Sequence, residues 1–441
     1  MKLSDQLPVQ TINDLQFQQF RAHLEEVCAN SKYYSDKFKE LTITPSDITS
    51  WKDLHKLPIL DTKTLLANNS DFPAAPNARL RRVIVSGGTT GSPKICFFAD
   101  NMHEIIQNWV PLWEAAGLTK EDVVTILCPI PLASGMIIAE TMEQIGCTSL
   151  PVGITTPPEF SARLMQKLNA TVIFSQPSTL QHFTEEIRKF SYYPKDFNIK
   201  KVLLGSEVLT KSIRRHVEEE WNCEVFDTSG SSEVGMIGSE CGEHNGHHLA
   251  VACAYFEVLD LETGMPVSEG VGQLYVTTLL NLGLPLIRYD MKDIVKITNK
   301  PCECGRTTPR IWFMGRADDR LVLKTGVKFY SYQVDEALEI FDGVTRAYNV
   351  IATGDYQRDS IKLVIETQDT VHDDMDLKRR VSQAIISSSI DFNEIYCSKL
   401  VDDPEVEFVS IGTLERTSRG KIKNRFQDLR PIDAHEGDFH F

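Results

Sequence analysis

The sequence predicts an α/β protein with a large N-terminal domain, made of layered α/β subdomains and a β section, and a small α+β C-terminal domain. The chain has 441 residues, more than a single hydrophobic core usually holds. Short aliphatic runs alternate with helical patterns over residues 80–230, which is typical of a parallel sheet. Strand patterns and turn signals then dominate residues 250–315.

The individual elements follow from local periodicity. Apolar residues at helical spacing predict helices, and short β-branched or aliphatic runs predict strands. Strands are predicted at 82–85, 123–127, 171–174, 201–204, 255–259, 273–277 and 361–365. Helices are predicted over 15–40, 178–190, 213–221 and 377–388. Residues 315–320 are small and charged, so we expect domains at 1–314 and 320–441 with a hinge at 315–319.

Composition excludes several classes of protein. The net charge of −15 argues against non-specific nucleic-acid binding. We expect no secretory signal and no membrane span, because no apolar run approaches about eighteen residues. Ten cysteines, mostly scattered singly, are typical of a reducing compartment, which predicts a cytoplasmic protein. A homodimer is one candidate assembly, and the oligomeric state stays open.

A glycine-rich segment after the first predicted strand is the strongest functional signal. Its hydroxyls, flexible backbone and terminal Lys94 suit a polyphosphate. The alternative is a simple turn between two strands. The residues expected to bind phosphate are Ser86, Gly87, Gly88, Thr89, Thr90 and Gly91.

Further polar clusters follow along the chain. After an apolar strand come Asp227, Thr228, Ser229, Gly230, Ser232 and Glu233. Such a loop suits an adenosine phosphate with Mg²⁺ on Glu233, or serves as a helix cap at Ser232. Asp293 could accept hydrogen bonds from ribose hydroxyls or belong to a surface salt-bridge cluster. Arg316 and Lys324 are candidate ligand contacts, or they belong to an interdomain linker. Lys421 is a further candidate, and the alternative is a solvated basic turn.

A cysteine pair suggests a metal site. Cys302 and Cys304 are one residue apart, and Cys241 lies upstream beside three histidines. Zinc binds four nitrogen or sulfur ligands in a tetrahedron, so these residues predict a structural zinc ion. The spacing leaves the histidine ligand open among His244, His247 and His248.

In this order and spacing the clusters resemble the adenylate-forming superfamily of acyl-CoA synthetases, adenylation domains and luciferases. The resemblance covers about residues 30–425. It implies that residues 86–94 form the phosphate loop and that Glu233 is the magnesium ligand. It further implies that Asp293 contacts ribose, Arg316 contacts the nucleotide, Asp318 is the hinge and Lys421 is catalytic, in a mobile C-terminal domain.

Residues 31–34, 57–63 and 205–207 resemble markers of the phenylacetate-CoA ligase branch. The resemblance implies that Gly205, Ser206 and Glu207 lie beside adenine, and that His248 completes the zinc set with His247 as the alternative. It also implies ATP, Mg²⁺ and coenzyme A with an aryl or arylacetic acid. Transfer to an amino acid or a carrier-protein thiol stays an alternative acceptor reaction, and an inactive nucleotide-binding scaffold is a second alternative.

The chain departs from the family pattern at several positions. Ser229 replaces the tyrosine that stacks on adenine, so Phe226 or Tyr289 is the expected substitute. Met291 and Lys292 replace Thr-Gly before the ribose aspartate. Lys328 and Ser331 stand where Asn and Pro are usual, in the loop expected to meet the incoming thiol.

Overall fold

The computed structural model describes residues 5–75, 79–86, 94–130, 135–207, 209–354, 358–416 and 422–430. It divides into two compact units. The first comprises Met1–Met291 and Val295–Phe313, and the second comprises Lys292–Ile294 and Met314–Phe441. Helices and strands are mixed in both units, which confirms the predicted α/β class with a large N-terminal part and a smaller C-terminal part. The functions assigned to the predicted domains stay predictions.

The α-helices described in the first unit all precede residue 222. They are α1 (Val9–Asn30), α2 (Lys32–Leu41), α3 (Thr62–Ala67), α4 (Met102–Ala115), α5 (Gly135–Ile145), α6 (Pro158–Lys167), α7 (Pro177–Arg188) and α8 (Lys211–Trp221). The predicted helix over 15–40 is two helices. Ser31 separates them because its side chain caps α2 at Tyr34 N and donates a 3.1 Å hydrogen bond to Asp71 O.

The strands of this part of the chain begin with a hairpin. They are β1 (Leu80–Ser86), β2 (Lys94–Ala99), β3 (Val123–Leu127), β4 (Thr148–Leu150), β5 (Val172–Ser175), β6 (Lys201–Gly205), β7 (Glu224–Ser231), β8 (Gly235–Ser239), β9 (His247–Leu249), β10 (Ala254–Leu259), β11 (Gly270–Thr278), β12 (Tyr289–Thr298) and β13 (Arg310–Arg316). Among the described residues, β1 pairs with β2, and the others form one sheet in the order β10-β11-β12-β13-β9-β8-β7-β6-β5-β3-β4.

The parallel strands β3, β5, β6 and β7 lie in the middle of a layered structure. Successive residues of one strand belong to different hydrophobic clusters: Phe174 to the cluster with α1, α4 and α5, and Ile173 to the cluster with α6, α7 and α8. Leu203 and Val202 of β6 divide in the same way. The sheet is therefore covered on both faces, as short aliphatic strands predict.

The second unit is a four-stranded sheet with helices. Its further elements are β14 (Arg320–Val322), β15 (Lys328–Tyr330), α9 (Ser331–Leu338), β16 (Val344–Gly354), β17 (Asp359–Thr367), α10 (Met375–Ser387), α11 (Ile390–Cys397), β18 (Glu405–Ser410) and β19 (Phe426–Asp428). Among the described residues the sheet order is β18-β17-β16-β19. Ile361, Leu363 and Ile365 of β17 face the core, while Lys362 pairs outside with Glu405 at 2.8 Å. None of the helices in the described ranges is long and apolar enough to cross a membrane.

Candidate functional site

Glu233 lies in the tight turn that joins β7 to its antiparallel neighbour β8. The Ser231 hydroxyl accepts a 3.1 Å hydrogen bond from Val234 N, and Gly235 adopts a left-handed φ of 85°. A Cβ on Gly230 would lie 2.8 Å from Gly235 O, so the close approach of the two strand ends requires glycine there. The turn directs a carboxylate side chain that is only 6% exposed.

Lys94 meets this carboxylate from the first hairpin. It is the first residue of β2 and is paired in register with Ser86, the last residue of β1. Its ammonium forms an ion pair with Glu233 Oε1. The predicted phosphate-binding residues between the two strand ends, Gly87, Gly88, Thr89, Thr90 and Gly91, lie outside the described residues, as does the side chain of Ser86.

The Glu233 centre has the donor chemistry that Mg²⁺ prefers. A hard cation takes oxygen ligands, and Mg²⁺ commonly uses one or two carboxylates together with substrate phosphates. Lys94 and Tyr289 both reach Oε1 of Glu233, while none of the described residues donates a hydrogen bond to Oε2. Among the described residues Oε2 is thus open to a cation, and the positive charge of Lys94 would attract the phosphates that accompany the cation.

The predicted adenine-side segments are adjacent in the sheet. Gly205 of β6 is the register partner of Thr228 in β7. A Cβ on Gly205 would lie 2.8 Å from Thr228 Oγ1, whose hydroxyl donates to Leu204 O at 3.0 Å. Ser206 then turns with φ 67°. The structure therefore brings together two segments that are more than twenty residues apart in sequence.

Glu207, which is predicted to lie beside adenine, contacts the start of a neighbouring helix. Its carboxylate accepts hydrogen bonds from Ser178 N at 3.0 Å and Ser178 Oγ at 2.6 Å, at the start of α7. Carboxylates are favourable at a helix N-terminus because backbone N–H groups there lack partners. In this structure Glu207 therefore caps α7.

Asp227 is held between two neighbouring segments. Its backbone N–H donates to Glu240 Oε2 at 2.9 Å, and its carboxylate Oδ2 lies 3.4 Å from His247 Nε2. Glu240 is fixed in turn by a two-pronged contact with Arg214 at 2.7 and 2.8 Å. The backbone of the predicted nucleotide loop is thereby anchored before Ser229, whose hydroxyl donates to Gly238 O at 3.3 Å.

The rings expected to replace the missing adenine-stacking tyrosine are both buried. Phe226 is 2% exposed and packs on the His244 ring at 4.9 Å between centroids. Tyr289 is also 2% exposed and directs its hydroxyl to Glu233. Both rings are therefore largely enclosed by neighbouring parts of the chain. The stacking role expected for either residue stays a prediction.

Several predicted site residues lie in the second unit. Arg316 ends β13, and its guanidinium contacts Asp293 Oδ1 at 3.3 Å and Asp318 at 3.1 and 3.2 Å. The predicted ribose, nucleotide and hinge residues therefore form one cluster. Lys324 is exposed, and its backbone N–H donates to Asp359 Oδ2 at 2.8 Å. Lys421 lies outside the described residues.

The structure gathers four of the predicted metal ligands. The donor atoms of Cys241, His248, Cys302 and Cys304 all lie within 4.8 Å of one another. Cys241 follows β8, His248 belongs to β9 beside it, and the other two come from the loop between β12 and β13. That loop turns tightly, with Gly305 at φ 87° donating its N–H to Cys302 O at 3.0 Å.

The donor distances fit a tetrahedral zinc site. Cys241 Sγ and Cys302 Sγ are 3.9 Å apart, and Cys304 Sγ lies 3.4 Å from His248 Nε2. Zn–S and Zn–N bond lengths require edges of about 3.8 Å between two sulfurs and about 3.5 Å between sulfur and nitrogen. A disulfide is excluded, since its sulfurs would be about 2.05 Å apart.

The choice among the three histidines follows from their contacts. His248 Nδ1 lies 3.0 Å from the Thr308 hydroxyl, which leaves Nε2 directed at the cysteines, and burial lowers its pKa to about 4, favouring the neutral ligand form. His247 faces Asp227, and His244 contacts Glu224 at 3.0 Å and Glu240 at 3.4 Å. The geometry selects His248 among the three.

Family models and curated relatives match almost the whole chain. The AMP-binding enzyme family model matches residues 11–280, and the model of the AMP-binding enzyme C-terminal domain matches residues 326–430. The phenylacetate-coenzyme A ligase of Thermus thermophilus is 28% identical over 447 aligned residues, covering 96% of this chain and 98% of the relative. That of Escherichia coli is 27% identical, covering 82% of this chain and 84% of its own length.

A solved structure shares the fold. The crystal structure of 2-hydroxyisobutyryl-CoA ligase in the postadenylation state, in complex with 2-HIB-AMP, superposes with a TM-score of 0.77 at 20% identity. The match covers 96% of this chain and 90% of that chain. The likeness therefore extends through both units of the chain.

Proposed function

Because the chain belongs to the AMP-binding enzyme family, we propose that it activates a carboxylic acid with ATP and passes the acyl group to coenzyme A. The products are an acyl-CoA thioester, AMP and pyrophosphate. The observation that carries this proposal is the convergence of Lys94 and Glu233 from separate β-hairpins, because Lys94 closely follows in sequence the segment expected to hold phosphate. The phenylacetate-coenzyme A ligases among its relatives support an aryl or arylacetic acid as substrate.

The first half-reaction joins the acid to AMP. A carboxylate oxygen of the acid attacks the α-phosphorus of ATP, the bond to the bridging oxygen breaks, and pyrophosphate leaves with the electron pair. Lys94 and the backbone N–H groups of residues 87–91 stabilise the leaving pyrophosphate. Glu233 holds Mg²⁺, which when bound offsets the phosphate charge. Lys421 holds the carboxylate and nucleotide oxygens for in-line attack.

The second half-reaction replaces AMP by the thiol sulfur of coenzyme A. The thiolate attacks the acyl carbon, a C–S bond forms, and AMP leaves as the C–O bond breaks. Asp293 and Arg316 contact the nucleotide during both steps, and Asp318 is the hinge about which the C-terminal domain rotates. The segment from Lys324 to Lys328 then meets the thiol in place of Lys421.

The Cys/His cluster binds zinc in a structural role. Cys241, His248, Cys302 and Cys304 would supply the four donors that zinc prefers, which would leave no open position for water or substrate. The ligands join β8, β9 and the β12–β13 loop, so the ion ties together strands that are distant in sequence. Removing the ion would therefore affect stability before chemistry.

Product analysis tests the proposed reaction. The purified protein is incubated with ATP, Mg²⁺ and a panel of aromatic, alicyclic and fatty acids, with coenzyme A or an amino acid as acceptor. Mass spectrometry should find an acyl-CoA and one AMP per thioester. An amide product without a thioester would favour the alternative acceptor, and ATP binding with no product would favour an inactive scaffold.

A further inference from the structure

Tyr289 is a buried tyrosine whose hydroxyl makes hydrogen bonds. It begins β12, and its side chain is enclosed in the first unit, where it is 2% exposed. Its hydroxyl donates a 3.3 Å hydrogen bond to Glu233 Oε1, across 56 residues of sequence. A phenol is protonated at neutral pH, so Tyr289 is the donor in this hydrogen bond.

A second hydroxyl supports the first. Thr62 Oγ1 lies 3.1 Å from the Tyr289 oxygen. Since the tyrosine proton points to the carboxylate, Thr62 is the donor in this pair. The chain of donors runs from Thr62 through Tyr289 to Glu233, and such chains strengthen each member by polarisation.

The backbone pairs Leu60, two residues before Thr62, with Tyr289. Leu60 N donates to Arg288 O at 3.1 Å, and Asp290 N donates to Leu60 O at 2.9 Å, so the two segments form a short parallel bridge. The following Asp61 caps α3 by accepting Thr64 N at 2.7 Å. Thr62 is therefore fixed by a strand bridge on one side and a helix start on the other.

The consequence concerns the orientation of the carboxylate. Lys94 and Tyr289 both approach Oε1 of Glu233, and among the described residues no donor reaches Oε2. We propose that Tyr289 is a positioning residue, which holds Oε1 so that Oε2 faces the cation bound with ATP. This role rests on the proposed function, because it takes Glu233 as the magnesium ligand.

A single-atom substitution tests the role. In Tyr289→Phe the ring stays and only the hydroxyl is lost. Cation affinity is measured by titrating Mn²⁺ into protein saturated with a non-hydrolysable ATP analogue, without turnover. Loss of a partner that orients a metal ligand typically weakens metal binding by about 10-fold or more, and we expect that fall here. Thr62→Val removes the supporting donor and should give a smaller fall.

Tyr34→Phe is the matched control. Tyr34 is also a buried tyrosine, and its hydroxyl donates to Pro285 O at 3.2 Å and accepts from Ile287 N at 2.9 Å, away from Glu233. Tyr34→Phe removes a buried tyrosine hydroxyl near the start of β12 and should leave cation affinity unchanged.

Two outcomes would overturn the positioning role. One is equal cation affinity in Tyr289→Phe and the unsubstituted protein, and the other is an equal loss in Tyr289→Phe and Tyr34→Phe, which would mark a general structural effect. The proposed function fails separately. An unsubstituted protein that binds the cation and analogue yet forms no acyl-adenylate from any acid would overturn the function and leave the Tyr289 result standing.

Discussion

Two centres in the first unit each gather side chains from distant strands, but they differ in how many ligands the protein supplies. The Cys/His cluster offers four donor atoms within 4.8 Å, and His248 is oriented further by Thr308. The Glu233 centre offers one carboxylate, held on one oxygen by Lys94 and Tyr289. A closed ligand set stabilises structure, whereas an open one leaves room for substrate. Under the proposed assignments, the same unit would hold one metal ion in a structural role and one at the catalytic site.

The largest effect, a loss of stability, is expected from removing one ligand of the Cys/His cluster. Cys302→Ser removes one sulfur ligand and should abolish stoichiometric zinc binding. Loss of a structural metal site typically lowers the free energy of unfolding by about 5 kcal/mol or more. Zinc content by mass spectrometry and denaturant unfolding measure the two quantities.

A buried cysteine outside the cluster provides the control for this substitution. Cys253 is 6% exposed, and its thiol contacts Ile105 O at 3.6 Å. Cys253→Ser should keep zinc and lose less stability. Retention of both zinc and stability in Cys302→Ser would contradict the assignment of the Cys/His cluster as a structural zinc site.

The next effect separates the two half-reactions. Lys421→Ala should slow acyl-adenylate formation by about 10³-fold, since an oriented charge at the reacting oxygens is lost. Thiolysis of a supplied acyl-adenylate should stay largely intact, because a different segment serves that step. Quench-flow measurement of each half-reaction decides. Equal loss in both steps of a folded variant would refute the assignment of Lys421.

A smaller effect on acyl-adenylate formation is expected from removing the negative charge of Glu233. Glu233→Gln keeps the shape of the side chain but removes its charge, so acyl-adenylate formation should fall by about 10²-fold and require more Mg²⁺. Glu257→Gln is the control, because Glu257 is another largely buried carboxylate, paired with Arg288 at 3.3 Å. It should lower stability without changing the Mg²⁺ dependence. An unchanged Mg²⁺ dependence in Glu233→Gln would contradict the assigned ligand.

The smallest effect is a pH dependence beside the closed centre. The hydrogen bond to Glu240 raises the pKa of His244, so the charged imidazole stabilises the folded state. The contribution is complete below the ordinary pKa of about 6.5 and is lost as the pH rises through the raised value. His244→Gln should therefore cost more stability at pH 6 than at pH 9, by less than about 1 kcal/mol. Equal costs in denaturant unfolding at both values would contradict the assignment.

The sequence predicted the fold class and the family, and both are confirmed. Short aliphatic strands were predictable because successive residues such as Ile173 and Phe174 are buried on opposite faces of the sheet. The strand therefore appears in the sequence as a continuous apolar run. The break between α1 and α2 was not predicted, because it depends on the hydrogen bond from Ser31 to Asp71 O, a contact across 40 residues.

The site was predictable where ligand chemistry leaves a pattern. The close spacing of Cys302 and Cys304 predicted a metal site, and the proximity of the donor atoms favours His248 as the histidine of that site. Residues that act through others leave no such pattern. Tyr289 and Thr62 support Glu233, and Glu240 with His247 fix Asp227, through contacts that only the folded chain creates. Tyr289 was named from the sequence as a candidate stacking ring, but its hydrogen bond to Glu233 could not be predicted, because the two residues are 56 positions apart.

The most direct test of the central claim is acid-dependent exchange between ATP and labelled pyrophosphate, measured without coenzyme A. The account predicts that label enters ATP only when Mg²⁺ and a suitable acid, with aryl or arylacetic acids expected first, are both present. Exchange reports adenylate formation alone, so it does not depend on the acceptor. Absence of exchange over a broad acid panel, in folded protein that contains zinc and binds ATP, would contradict the claim.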